Sequence, residues 1–238
     1  MRIAYFGLNF HERTGSSAFM LALLRAHAEV DVFSAEADIA DVLRQCAGFD
    51  EWRYDAIVIW QLQEAFVLLS GRHPNVTFTP MYDAMWRGGV FTWRPSFNYA
   101  KILCFSWALR RQVMRHAPVY AQVQYYPDPA RFPASADFGT LRAFFWYRRR
   151  DIPIAQMLAL AAGARFESLT IHDAPDPGHT APFDWATPPH IGRLARTVWT
   201  PDGRNFAEAL AAANVYFAPR PKEGIGMSCL EAMASGLC

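Results

Sequence analysis

Lysine is nearly missing from this 238-residue chain: Lys101 and Lys222 are the only two among 23 basic residues. Set against 22 acidic residues, the formal net charge is +1. That balance argues against general nucleic-acid binding, where a basic face must neutralise many phosphates. Cysteine is sparse too. Cys46, Cys104, Cys229 and Cys238 have no paired spacing suited to zinc or redox chemistry, so a reduced, cytoplasmic protein is the simplest expectation. No apolar run approaches the ~18 residues of a membrane span, and residues 3–8 are too short for a signal-peptide core. Peripheral attachment, as at the inner face of a membrane, stays open, because an amphipathic surface needs no such run. Apolar material is what the chain has in quantity: 52% hydrophobic and 15% aromatic against 19% charged, enough for a sizeable core and incompatible with disorder.

Short apolar runs alternate with helical patterns. Residues 2–8, 30–33, 55–60, 75–80, 101–106 and 119–126 read as strands, with helices over 15–28 and 108–117. A proline-bearing stretch, 127–140, suits a linker. Alternation then restarts with strands over 141–147 and 167–172 and helices over 152–164 and 205–213. Short strands are expected over 197–199 and 215–219. Residues 173–192 contain five prolines and read as a long irregular excursion. Continuous apolar strands separated by helices predict an α/β protein with parallel sheets covered on both faces. We place an N-terminal domain over 1–136 and a C-terminal one over 137–238. A last helix begins near Ser228 and ends at Gly236, where a glycine cap ordinarily leads into another strand, so the chain is expected to be a piece of a longer protein.

The stretch Val215 to Gly236, VYFAPRPKEGIGMSCLEAMASG, carries the most chemistry. A buried strand passes through a glycine-containing turn into a helix, and in parallel sheets ligands bind beyond such strand ends. Gly224 and Gly226 allow close backbone approach. The N–H groups at the start of the helix, with Lys222 and Arg220 beside them, suit a phosphate or diphosphate. A plainer reading fits the same letters: Ser228 and Glu231 match an S-x-x-E capping box, with Glu231 satisfying a backbone donor.

The whole string resembles the E-x7-E signature of retaining, nucleotide-sugar-dependent glycosyltransferases of the GT-B fold. Glu223 and Glu231 stand as the two glutamates, with GIGMSCL between them and AMASG after. The resemblance implies two Rossmann-like domains, the second incomplete in this chain. It implies transfer of a sugar from a nucleoside-diphosphate sugar to a glycan or lipid-linked acceptor with retention, with no metal or other cofactor. Backbone at Gly224, Ile225, Gly226, Met227 and Ser228 would meet the diphosphate beside Lys222. Glu231 would hold the ribose hydroxyls, and Glu223 would orient the donor sugar. Family members also grip the diphosphate with an arginine and a lysine after the first strand of the second domain. Arg148 matches the arginine, but Pro153 stands at the lysine's place, so either Arg149 or Arg150 would substitute or the diphosphate would be held differently.

The N-terminal half resembles the acceptor domain more faintly. His11 and Gly15 lie in its first loop, and Trp86 and Arg87 in an aromatic stretch able to stack on sugars; packing explains those aromatics equally well. Asp83 is a candidate to take the acceptor's proton, although a helix cap would also account for it. The competing class is a non-catalytic nucleotide-sugar-binding subunit of the same fold, suggested by Pro153. A nicotinamide oxidoreductase is disfavoured because FGLNFHERTG lacks G-x-G-x-x-G.

Overall fold

The run after Met1 forms β1 (Arg2–Leu8), and its side chains part by period two. Ala4 and Phe6 enter one apolar cluster with Ile57, Ile59 and Phe78, while Ile3 and Tyr5 enter another with Val58, Trp60 and Met20. A strand buried on both faces must be apolar throughout, which is why this one is legible as a continuous run. The computed structural model of the protein describes residues 1–36, 38–84, 98–132, 137–149, 152–176, 186–200, 202–220 and 222–238. They form two units: Met1–Tyr125 with Lys222–Ile225, and Tyr126–Pro221 with Gly226–Cys238.

In the first unit, β1 is joined by β2 (Glu29–Ala35), β3 (Ala56–Trp60), β4 (Val76–Thr79), β5 (Lys101–Cys104) and β6 (Val119–Gln122). Every pairing is parallel, in the order β2-β1-β3-β4-β5-β6. One face is covered by α3 (Ile39–Ala47), α4 (Gln63–Leu69) and α5 (Trp107–Val113), through Val42, Phe66, Leu69 and Val113. The other takes Met20 and Leu21 of α2 (Ala18–Arg25), which follows the five-residue α1 (Asn9–Arg13). Phe66 stacks flat on Phe78 with ring centroids 4.2 Å apart. The direction of winding reverses between β1 and β3.

The second unit repeats the scheme with β7 (Arg142–Tyr147), β8 (Phe166–Asp173), β9 (Ile191–Thr197) and β10 (Val215–Phe217), ordered β10-β7-β8-β9 and again wholly parallel. Ala143, Phe145 and Tyr147 pack under α6 (Ile154–Ala161). Phe144 packs with residues of α7 (Arg204–Ala211) and α8 (Met227–Ala234). Both sheets are therefore Rossmann-like. The strand expected over 197–199 lies earlier, at β9: this edge strand shows water a row of polar side chains, so its apolar signal is weak. Gly192 permits β9 to approach β8, since a Cβ there would stand 2.8 Å from the Glu167 carbonyl oxygen. After α8 the chain returns to the outer edge of β10. Cys238 N–H donates to Asn214 (2.9 Å) and its carbonyl accepts from Tyr216 (2.8 Å), the first step of a parallel ladder.

Asn214 fastens this unit. It is fully buried, and its Nδ2 donates to the carbonyls of Asp137 and Thr140, both at 2.7 Å, while Oδ1 accepts from Arg142 N–H at 2.8 Å. Its own N–H donates to the Arg142 carbonyl at 2.8 Å. One amide thus sets the starts of β7 and β10 level. Asn214→Ala would orphan the Thr140 carbonyl and the Arg142 N–H and leave the Asp137 carbonyl with only its 3.2 Å bond from Arg142 Nη2. We expect it to lower unfolding free energy by about 2–4 kcal/mol, read by urea denaturation of the purified protein.

Candidate functional site

The strand order of the second unit turns back between β7 and β10, and open parallel sheets bind ligands beyond the carboxyl ends of the strands at such a reversal. Register pairs Phe217 with Phe145. The residues that follow these strands, Arg148 and Arg149 on one side and Ala218 to Arg220 on the other, therefore leave the sheet at the same end. From β10 the chain proceeds to α8.

Gly226 stands at the N-cap of α8 with φ 74°, a left-handed conformation that a side chain would strain by roughly 1–2 kcal/mol. Its N-cap residue is a glycine and so supplies no side-chain cap of its own. The first bond of its own ladder runs from Leu230 N–H to the Gly226 carbonyl (3.0 Å), so the N–H groups ahead of it lie outside the helix's hydrogen bonding. The capping box is not formed. Ser228 falls one position inside the helix start, and its hydroxyl pairs with the Tyr216 hydroxyl at 2.8 Å. Glu231, released from that role, lies partly buried one turn further on. Burial alone pushes its carboxyl up from 4.5 to about 7. Among the described residues no side chain pairs with it. A partly buried carboxyl raised by burial, close to a helix start at a strand-order reversal, makes this end of the sheet the candidate site.

Arg148 is engaged. Its Nε and Nη2 donate to the two oxygens of Asp176 at 3.1 and 3.2 Å, and its guanidinium lies 4.7 Å from the centre of the Trp146 ring. Asp176 N–H returns a bond to the Arg148 carbonyl at 2.8 Å. Arg149 accepts at its carbonyl from Ile152 N–H (3.1 Å), and Pro153 is the N-cap of α6. Nothing in the sequence announces Asp176 as a partner, because it follows a different strand.

In the first unit, Gly224 makes a close approach: a Cβ there would stand 3.0 Å from the Met81 sulfur and 3.1 Å from an oxygen of Asp83. The structure thus brings Asp83 against the residue that follows Glu223, and Ile225 packs on the cluster holding Met81 and Trp60. His11 and Gly15 follow β1 at the reversal of this sheet. The His11 Nδ1 lies 2.9 Å from the Ser16 hydroxyl, and Gly15 has φ 69°. Beyond β3, Gln61 adopts φ 59° without being glycine, a strain of about 1–3 kcal/mol that no residue pattern signals. Trp86 and Arg87 lie outside the described residues.

His172 on β8 is a feature the sequence reading passed over. It is fully buried, with Nδ1 2.9 Å from the Thr197 hydroxyl and Nε2 without a partner among the described residues. Phe206, Trp146 and Trp199 surround it with ring centroids 5.4 to 5.9 Å away, and burial pushes its pKa down to about 4. Among the described residues no helix is long and apolar enough to cross a membrane, and no group of three His, Cys, Asp or Glu is placed to hold a metal ion. No family model matches the chain, and none of the curated proteins matches it.

Two pH effects of opposite sign follow. The carboxyl of Glu231 is harder to ionise folded than unfolded, so it withdraws stability as pH rises from 4.5 through 7. Glu231→Gln should therefore raise the unfolding free energy from urea titration at pH 8 more than at pH 5, by about 1–3 kcal/mol at the alkaline end after allowance for solvent screening. His172 resists protonation when folded, so stability is lost as pH falls from 6.5 towards 4. His172→Phe should shrink the difference between unfolding free energies at pH 7 and pH 5 by about 2 kcal/mol, while costing some stability at pH 7 through the lost bond to Thr197.

Proposed function

We propose that the protein is a retaining glycosyltransferase of GT-B architecture that binds a nucleoside-diphosphate sugar at the strand-order reversal of its second sheet. One observation carries the reading: Glu231 holds a partly buried carboxyl, raised by burial to about 7 and with no side-chain partner among the described residues, one turn beyond a helix start whose N-cap is a left-handed glycine. Vicinal ribose hydroxyls donate to such a carboxylate, and the oxygens of a diphosphate accept from the amides of a helix start. The spacing from Glu223 to Glu231 and the glycines between them point the same way.

In this reading the backbone from Gly224 to Ser228 meets the diphosphate, with Lys222, Arg148 and Arg149 supplying charge, and Glu223 orients hydroxyls of the donor sugar. The bond from the sugar's anomeric carbon to the diphosphate oxygen breaks. The acceptor oxygen bonds to that carbon from the same face, and the acceptor's proton passes to the departing diphosphate or to Asp83. The barrier falls because fixed amides and guanidinium groups stabilise charge growing on the leaving group. Glu223 is no nucleophile here, since the leaving group departs readily without one. His11, Gly15, Trp86 and Arg87 would serve a glycan or lipid-linked acceptor, and membrane contact, where it occurs, would be peripheral.

The second reading is a subunit that binds nucleotide sugar without turning it over. Pro153 in place of the family's lysine and the engagement of Arg148 by Asp176 favour it. Titration calorimetry with UDP-, GDP- and ADP-linked sugars, followed by assay for transfer and hydrolysis, separates the two. A nucleotide sugar has no group titrating between pH 6 and 8, so binding should strengthen about tenfold across that interval as Glu231 ionises. Glu231→Ala should abolish this pH dependence, and Glu223→Gln should lower turnover at least a hundredfold with binding largely retained. Absence of binding by any of these donors would remove the proposal, and binding without turnover would select the second reading.

A further inference from the structure

The Arg148 guanidinium stands at the carboxyl end of β7, and its Nε–Nη2 edge already holds a carboxylate. Asp176 accepts from Nε at 3.1 Å and from Nη2 at 3.2 Å, a side-by-side geometry that a phosphate would use equally well. Both side chains are about three-quarters buried, 25% and 23% exposed, so water and salt screen the pair little. The segment bearing Asp176 is stitched to β7 independently of its carboxylate. Trp146 Nε1 donates to the Ala174 carbonyl at 3.0 Å, and Asp176 N–H donates to the Arg148 carbonyl at 2.8 Å. Trp146 also supports the guanidinium from beneath, at 4.7 Å from its ring centre. Removal of the carboxylate from the fork requires only rotation of the Asp176 side chain, with the backbone bonds kept.

We infer that Asp176 is a specificity-determining residue: it occupies the Arg148 fork as a resident anion, so that only a ligand carrying more than one phosphate charge gains by displacing it. The inference rests on the diphosphate site proposed above. A singly charged phosphodiester that replaces Asp176 exchanges one charge for one and gains little. A diphosphate brings a second anionic group, which the amides at the start of α8 can take at the same time, because α8 follows the strand that neighbours β7. The carboxylate set free stays close by and repels the incoming charge, so affinity falls for every anion, and a ligand with a single anionic group has no second contact to offset the displacement.

The test is calorimetric binding of inorganic pyrophosphate and of dimethyl phosphate to the protein in low salt, for the parent, Asp176→Asn, Asp176→Ser, Arg148→Ala and the double variant Arg148→Ala with Asp176→Asn. Thermal melts certify that each variant is folded, and the two Asp176 replacements guard against one that is not. Asp176→Asn and Asp176→Ser are expected to tighten pyrophosphate about tenfold and dimethyl phosphate by more, so that discrimination between them narrows. The double variant should show neither gain. A purely structural role for Asp176 would leave affinity unchanged or weaken it. Should Arg148→Ala weaken pyrophosphate while both Asp176 variants leave it unchanged or weaker, the inference is overturned and the diphosphate site stands. Should pyrophosphate bind to none of the proteins, or bind equally well without Arg148, the placement of the diphosphate at this fork falls and the inference with it.

Discussion

The parallel pairing of β7 with β10 is the constraint on which the candidate site depends. Separated by about seventy residues of sequence, the two strands would otherwise have no reason to end at the same level (about 3.3 Å of rise per residue makes even a single-step slip consequential). Asn214 removes that freedom. Its amide reads Arg142 N–H on one side and the carbonyls of Asp137 and Thr140 on the other, so the starts of both strands are fixed by one buried, fully used side chain. From equal starts, strands in register deliver Arg148 and Arg220 to the same edge of the sheet, each three residues beyond the last paired position.

Buried polarity divides into two kinds in this protein. Asn214 and Thr79 are buried with their hydrogen bonds made, Thr79 donating to the Ile59 carbonyl at 3.0 Å, and they serve as fasteners. Glu231 is partly buried with its carboxyl raised by burial, and His172 Nε2 and the Trp60 indole N–H are buried without a partner among the described residues. Such groups cost free energy in the folded protein, of the order of 1–3 kcal/mol for a fully buried one, and a fold selected for stability alone would discard them. Trp60 ends β3, and Glu231 lies one turn into the helix that follows β10. His172 is different. It is enclosed by aromatic rings on all sides, and its neutrality keeps that cluster apolar.

The sequence exposed what burial writes into it and hid what geometry adds. Strands buried on both faces, such as β1, β3 and β7, are continuous apolar runs and were legible, whereas β9 alternates Gly192, Arg193 and Arg196 with apolar residues and was placed too late. Helices α3 and α4 show only part of their surface to the core, and their stripes were not separated from loop. The Ser228 and Glu231 spacing read equally as a capping box, because the letters do not tell that Tyr216 takes the serine hydroxyl. Asp176 faces Arg148 across 28 positions of sequence, and only strand order reveals that β8 follows β7 in space as in sequence. Gln61 is hidden for a simpler reason: a left-handed residue without glycine leaves no compositional trace.

These features together define what kind of anion site the second unit can offer. Arg148 is already paired with Asp176, and Pro153 starts a helix and contributes no charge. Net charge across the chain is +1, so no long-range field concentrates anions near it. Attraction must then come from contacts of short reach, the amides at the start of α8 above all, which reward an oxygen in the right place and are indifferent to charge at a distance. A site of this kind binds weakly but discriminates well, because a ligand has to satisfy amides, carboxylate and guanidinium at once before any of them contributes fully. Ribose hydroxyls for Glu231 and phosphoryl oxygens for the amides occur in fixed relation within a single nucleotide sugar, and neither free ribose nor free phosphate supplies both.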